Sequence, residues 1–122
     1  MTGQGEDGLR DHLSAALREA MLARDRVACS ALRSALAAVA NSEAVPVDTM
    51  PAAGAAEHAP LGAGAADAPR RELSEGEVLA VVEAEVVEHE RAAAHLSAAG
   101  RPDDAARVAE LARVLRTVLD RG

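Results

Sequence analysis

Leucines recur at every fourth position through Leu9, Leu13 and Leu17, Met21 continues the series, and Ala16 and Ala20 fall in the same stripe. Apolar residues at this spacing turn one face of a helix toward a core and leave the intervening polar positions to solvent. Gly8 precedes the stripe. A second stripe, Ala28, Leu32, Ala35, Leu36 and Val39, follows Asp25, whose carboxylate suits a helix N-cap, and Asn41-Ser42 is its expected stop. Farther on, Val78, Leu79, Val82, Val86, Ala93 and Leu96 share one face, and Val108, Leu111, Ala112, Leu115, Val118 and Leu119 share another. Ser74-Glu75-Gly76-Glu77 has the form of a capping box. The Ser74 hydroxyl would accept the Glu77 amide hydrogen while the Glu77 carboxylate accepts that of Ser74. Gly100 suits the left-handed residue that closes a helix, and Pro102, Asp103 and Asp104 suit the first turn of the next. So short a break makes the last two helices an antiparallel hairpin.

Residues 45–71 break the pattern. Pro46, Pro51, Pro60 and Pro69 each remove an amide donor, and Gly54, Gly62 and Gly64 lie among alanines. Such a stretch buries too little apolar surface to offset its ordering entropy, so a flexible tether is expected over 44–72. The fold class expected is therefore all-α. Two helical hairpins, 9–43 and 73–120, pack as one small four-helix bundle and are joined by a Pro/Ala/Gly-rich linker.

Composition narrows the chemistry. The 122 residues contain no Phe, Tyr or Trp, and all thirteen basic residues are Arg. No aromatic ring is present to stack a base or sugar, and no lysine to form a Schiff base or serve a phosphate loop of the Walker type. One cysteine, Cys29, excludes an intramolecular disulfide and a cysteine-cluster zinc site. No run of about 18 apolar residues predicts a membrane span, and the start lacks the basic and apolar regions of a secretory signal. A lone thiol then fits a reducing cytoplasm. The net charge of −7 opposes nonspecific nucleic-acid binding, but the acidity is local: residues 73–100 carry six Glu against one Arg.

Two runs resemble a known family. "LSAALREAMLARDRVACSALRSALAAVANSE", from Leu13 to Glu43, resembles the opening of GatB/YqeY-domain proteins, with its "AM-x-A-R-D", "S-x-L-R" and "N-x-E" steps. The run from Arg71 to Leu111 resembles the same family's "L-[ST]-E-x-E-V" helix start, here Leu73 to Val78, and its "A-G-R-x-D" turn, here Ala99 to Asp103. Together they cover about 70 of the 122 residues. The resemblance implies an all-helical, non-catalytic accessory domain. It is associated with glutamine-dependent tRNA amidotransferases, which are carbon–nitrogen ligases with glutamine as amido donor. The partners it implies are tRNA or a translation component, with no cofactor and no catalytic residue to carry over. Full-length relatives continue past the fourth helix into an "L-P" step and a further helical domain. This chain is expected to be truncated relative to them, since it stops at Leu119-Asp120-Arg121-Gly122, and its tether is longer than in compact relatives.

The candidate residues read as follows. Arg26 and Arg33, seven apart, share the outward face of the second helix with Ser30 between them, and Arg18 and Arg24 adjoin them. These four are the candidate anion or RNA contacts, set against plain pairing with Glu19, Asp25 and solvent. Without interleaved aromatics they would hold phosphate weakly and read no base. His89 lies on the apolar face of the third helix, four residues after Glu85. The pair reads as a boundary histidine bonded to a carboxylate rather than a metal site, because the Glu-x-x-His and His-Glu-x-x-His spacings are absent. His12 and His95 read as helix-surface residues. Cys29 reads as a core thiol rather than a nucleophile, with no histidine within one helical turn. Glu83, Glu85, Glu88 and Glu90 scatter around their helix as a solvated face rather than a catalytic pair. The alternative to the family reading is a protein-interaction bundle or homodimer that uses leftover apolar surface such as Leu22, Val81 and Val87.

Overall fold

In the computed structural model, residues 8–44 and 72–121 are described, and within them the chain forms four helices and no strand. They are α1 (Leu9–Ala23), α2 (Arg26–Ala44), α3 (Glu75–Ala98) and α4 (Pro102–Arg121). The tether expected over 44–72 falls almost wholly outside the described residues. α2 runs on through the expected stop at Asn41-Ser42 to Ala44.

Each start and turn has a local cause. Asp25 caps α2, its Oδ1 accepting the Ala28 amide hydrogen at 3.0 Å. The capping box forms at α3: Glu77 N–H donates to Ser74 Oγ at 3.1 Å, and Ser74 N–H to Glu77 Oε1 at 2.9 Å. Leu73, just before the cap, and Val78, just inside, are both buried, which adds the hydrophobic staple that often accompanies the box. α1 starts at Gly8, which has no side chain to cap with. The cap comes from α3 instead, where Glu75 Oε2 accepts the Leu9 amide hydrogen at 2.6 Å. A Cβ at residue 8 would run into that carboxylate. The starts of α1 and α3 therefore lie together, and the two helices run parallel.

Both hairpin turns have the same geometry. After α3, Gly100 takes φ 77°, Gly100 N–H donates to Ser97 O at 3.1 Å and Arg101 N–H to Leu96 O at 2.9 Å. After α1, Arg24 takes φ 58°, Arg24 N–H donates to Met21 O at 3.1 Å and Asp25 N–H to Ala20 O at 2.9 Å. These are two Schellman closures, one on glycine and one on arginine.

The core is leucine, valine and alanine. Leu13, Leu32 and Leu115, with Val39, Val82 and Val86, are fully buried, and Ala31 and Ala35 let α2 approach both helices of the second hairpin. Hairpin 1 is closed at its open end by Arg10, whose guanidinium donates to the Glu43 carboxylate. Glu43 is only 8% exposed. That hydrogen bond is the main influence raising Arg10 above the usual arginine range; burial opposes it, and the negative charges of Glu43, Glu72 and Asp11 add to it. Because the value is raised, the pair's contribution is complete below the ordinary arginine range and disappears only above it.

Two large apolar side chains of the sequence stripes are exposed. Met21 is 51% exposed and Leu79 40%. Steps of four residues advance about 40° around an α-helix, so by Met21 the leucine series has turned about 120° from Leu9, and Ala20 takes the inward place. Leu79 lies about 60° around from the centre of the Val78, Val82 and Val86 row, because one residue past Val78 is about 100° of turn.

Helix length sets the outline. The 24 residues of α3 span about 36 Å against about 22 Å for the 15 of α1. No residue of α3 after Val86 is buried, so the α3–α4 tip projects past the α1–α2 turn.

Candidate anion-contact site

The α1–α2 turn and the first turns of α2 form an open concavity lined by Met21, Arg24, Arg26, Cys29, Ser30 and Arg33. Arg26, Ser30 and Arg33 follow one another at four and three residues, so they stand in one row on the side of α2 opposite Ala28, Leu32, Ala35 and Val39. Arg24 arrives from the turn, held beside the row by its left-handed backbone. Three of the four sequence candidates are thus brought together. Arg18 stands outside the concavity, exposed on α1, one helical turn before Met21 and Leu22.

Their charge is not cancelled locally. Among the described residues none of Arg18, Arg24, Arg26 and Arg33 makes an ion pair or a side-chain hydrogen bond, with Glu19 and Asp25 included. The Asp25 carboxylate is engaged by the Ala28 amide. Arg91 and Arg121 of the second hairpin are likewise unpaired among the described residues, but its other arginines behave differently. Arg101 pairs with Asp104 at 2.6 Å, Arg113 with Glu110 at 2.9 Å and Arg116 with Glu90 at 3.1 Å. The start of α2 adds the partial positive charge of its free amides at Arg26. Three unengaged guanidiniums and a hydroxyl around an open depression can hold a phosphate or carboxylate group by charge-assisted hydrogen bonds.

Cys29 is half-buried, one edge against the core and the other in this concavity. The lining holds no imidazole or carboxylate that could take the thiol proton.

A second polar group joins the hairpins. Ser34 Oγ on α2 donates to Glu85 Oε1 on α3 at 3.0 Å, and His89 Nε2 lies 3.7 Å from the same oxygen. That separation suits an ion pair and exceeds a hydrogen bond; His89 Nε2 is enclosed without a hydrogen-bond partner among the described residues. The order is hydroxyl, carboxylate, imidazole. A hydrolytic triad needs the imidazole between the other two, so that it can take the hydroxyl proton. The cluster ties helices together without activating Ser34. No sequence signal pointed to Ser34, because its partner lies 51 residues away. His12 is half-buried rather than a plain surface residue, with Nδ1 enclosed and unpartnered among the described residues, while His95 is exposed.

Among the described residues, no three His, Cys, Asp or Glu side chains converge as a metal site would require, and no helix is long and apolar enough to cross a membrane. A further groove runs between the α1–α2 hairpin and α4, floored by Ala16, Ala20 and Ala28. Its rim mixes Glu19 and Glu110 with Arg113 and Arg121, so it presents no single sign of charge. The chain matches no family model, no curated protein and no solved structure.

Proposed function

We propose that this chain is a non-catalytic binding domain that contacts a polyanion, with tRNA as the occupant, through Arg18, Arg24, Arg26 and Arg33. The observation that carries the reading is the charge state of the α1–α2 corner. Its arginines have no acidic partner among the described residues, whereas Arg101, Arg113 and Arg116 of the second hairpin are paired. The resemblance of the runs around Arg24 and Arg33 to GatB/YqeY-domain proteins supports tRNA as the polyanion, and a glutamine-dependent tRNA amidotransferase as the setting in which the domain acts as an accessory. Contacts of this kind position a phosphate backbone and carry no base readout. They are weak and salt-sensitive, and the net charge of −7 makes them more so.

The test is anisotropy of labelled tRNA titrated with the full chain over a series of salt concentrations. Binding through three or four phosphates gives a plot of log K against log salt with a slope of about −2 to −4. Arg24→Gln, Arg26→Gln and Arg33→Gln each reduce that slope by about one and weaken binding alike for different tRNAs. Absence of binding at about 50 mM salt refutes the reading. Exposed apolar side chains on two surfaces favour a second reading, a protein-interaction module.

A further inference from the structure

The large apolar side chains that stand most exposed among the described residues are Met21, Leu22, Leu79 and Val87, at 51, 84, 40 and 41%. Scattered singly they would need no explanation. They fall instead into two pairs, the first among mostly basic side chains with Glu19 and Asp25 nearby, the second among mostly acidic ones. Met21 and Leu22 sit at the α1–α2 corner beside Arg18, Arg24 and Arg26. Leu79 and Val87 lie on α3 with Glu83 midway between them, at positions i, i+4 and i+8 of one strip, and Glu88 follows Val87. Glu83 and Glu88 are exposed and make no ion pair among the described residues. Arg91, one turn beyond Val87, is the single arginine of α3.

Exposed apolar side chains interleaved with charge suit a protein–protein contact, and opposite predominant signs on the two faces fix partner and orientation. The two surfaces cannot meet within one molecule. The arginine row points away from the core side of α2, and the Leu79–Glu83–Val87 strip is centred about 160° around α3 from Glu85, which faces α2.

We propose that the Leu79–Glu83–Val87 strip of one copy docks on the Met21–Leu22–arginine corner of a second copy of this chain. The contact joins two different surfaces, so each molecule offers one and accepts one. It uses the arginines of the polyanion reading without resting on it, and it makes the two occupants of the corner mutually exclusive.

Sedimentation of the full chain, free of nucleic acid, tests this over a range of protein concentrations. Salt is raised from about 0.01 to about 1 M, across which the screening length falls from about 30 to about 3 Å. Mass is expected to grow with concentration at low salt and to return to that of the monomer at high salt. The double variants Arg26→Glu with Arg33→Glu, and Glu83→Arg with Glu88→Arg, alter exposed positions only, and circular dichroism checks that each remains helical. Each alone is expected to associate at least tenfold more weakly, and an equimolar mixture of the two is expected to associate again. A monomer at every concentration in low salt overturns the proposal. So does association that neither double variant weakens, or a mixture that stays dissociated. Because no RNA is present, these outcomes are independent of whether tRNA binds.

Discussion

Arg24 and Gly100 occupy equivalent places in turns whose hydrogen bonds match in partners and length, which makes an internally controlled test of what the left-handed backbone costs. A side chain in that conformation costs about 1–2 kcal/mol, while glycine gives up about 0.5–1 kcal/mol through the greater freedom of its unfolded chain. Arg24→Gly is therefore expected to stabilise the fold by about 0.5–1 kcal/mol. Gly100→Ala is expected to destabilise it by a similar amount. No atom lies within 4 Å of the Cβ that Gly100→Ala would add, so its effect is conformational rather than steric. Arg24→Ala separates the backbone from the guanidinium, because it keeps the strained φ and removes only an exposed, unpaired charge; its change should be near zero. Urea denaturation with an unchanged m-value measures all three, and each kcal/mol moves the melting temperature by about 4–8 °C in a domain of this size. If Arg24→Gly and Arg24→Ala shift stability equally, or if Gly100→Ala is neutral, the left-handed backbone is not the source and the reasoning fails. In the tRNA titration Arg24→Gly should weaken binding as Arg24→Gln does, so one substitution would gain stability and lose affinity.

Other substitutions probe the remaining joints. Arg10→Gln removes a partner from buried Glu43 and should cost about 1–2 kcal/mol by chemical denaturation, less than a fully enclosed pair because Arg10 itself is partly exposed. Leu32→Ala opens a cavity where α2 meets the second hairpin and should cost about 2–5 kcal/mol, a large share of the roughly 4–13 kcal/mol such a domain holds; Leu22→Ala, on the exposed corner, should cost under about 0.5 kcal/mol in the same assay. Glu75→Ala removes the cap that α3 lends to α1 and should cost about 0.5–1 kcal/mol, with faster amide exchange at Leu9 and unchanged exchange in the middle of α2.

Signals carried by a few adjacent residues were legible in the chain. The Ser74 capping box, the Asp25 cap and the Gly100 turn each depend on chemistry within five residues, and each forms where the sequence puts it. What escaped was long-range. Glu75 reads locally as a first-turn acid of α3, and nothing near it says that its carboxylate caps a helix 66 positions earlier. A faint sign was present at Gly8, a helix start with no side chain to cap it. Leu73 reads as the start of the second hairpin, and its burial with Val78 adds the staple. Met21 stands outside the core because a four-residue spacing drifts around the helix, and that drift carries it into the lining of the arginine concavity.

The residues that resemble GatB/YqeY proteins bear on fold and function unequally. Asp25 caps α2, Glu43 closes hairpin 1, Leu73, Ser74, Glu75, Glu77 and Val78 build the start of α3 and the cap of α1, and Gly100 turns the second hairpin. Each of these has a structural reason to stand where it does, so folding alone accounts for it. Arg24 and Arg33 differ. Neither is buried or ion-paired among the described residues; Arg24 closes α1 through its backbone and not its side chain, and glycine would suit the backbone at 24 better than arginine does. A positive side chain at the end of α1 is favoured by the helix dipole, but its left-handed backbone, beside a row of unpaired like charges, opposes it, and strain of this kind gathers where a surface meets a ligand. The case for an anionic partner therefore rests on two residues of the resemblance, and the stability and affinity of Arg24→Gly, measured together, decide whether the arginine is there for a partner or only tolerated by the turn.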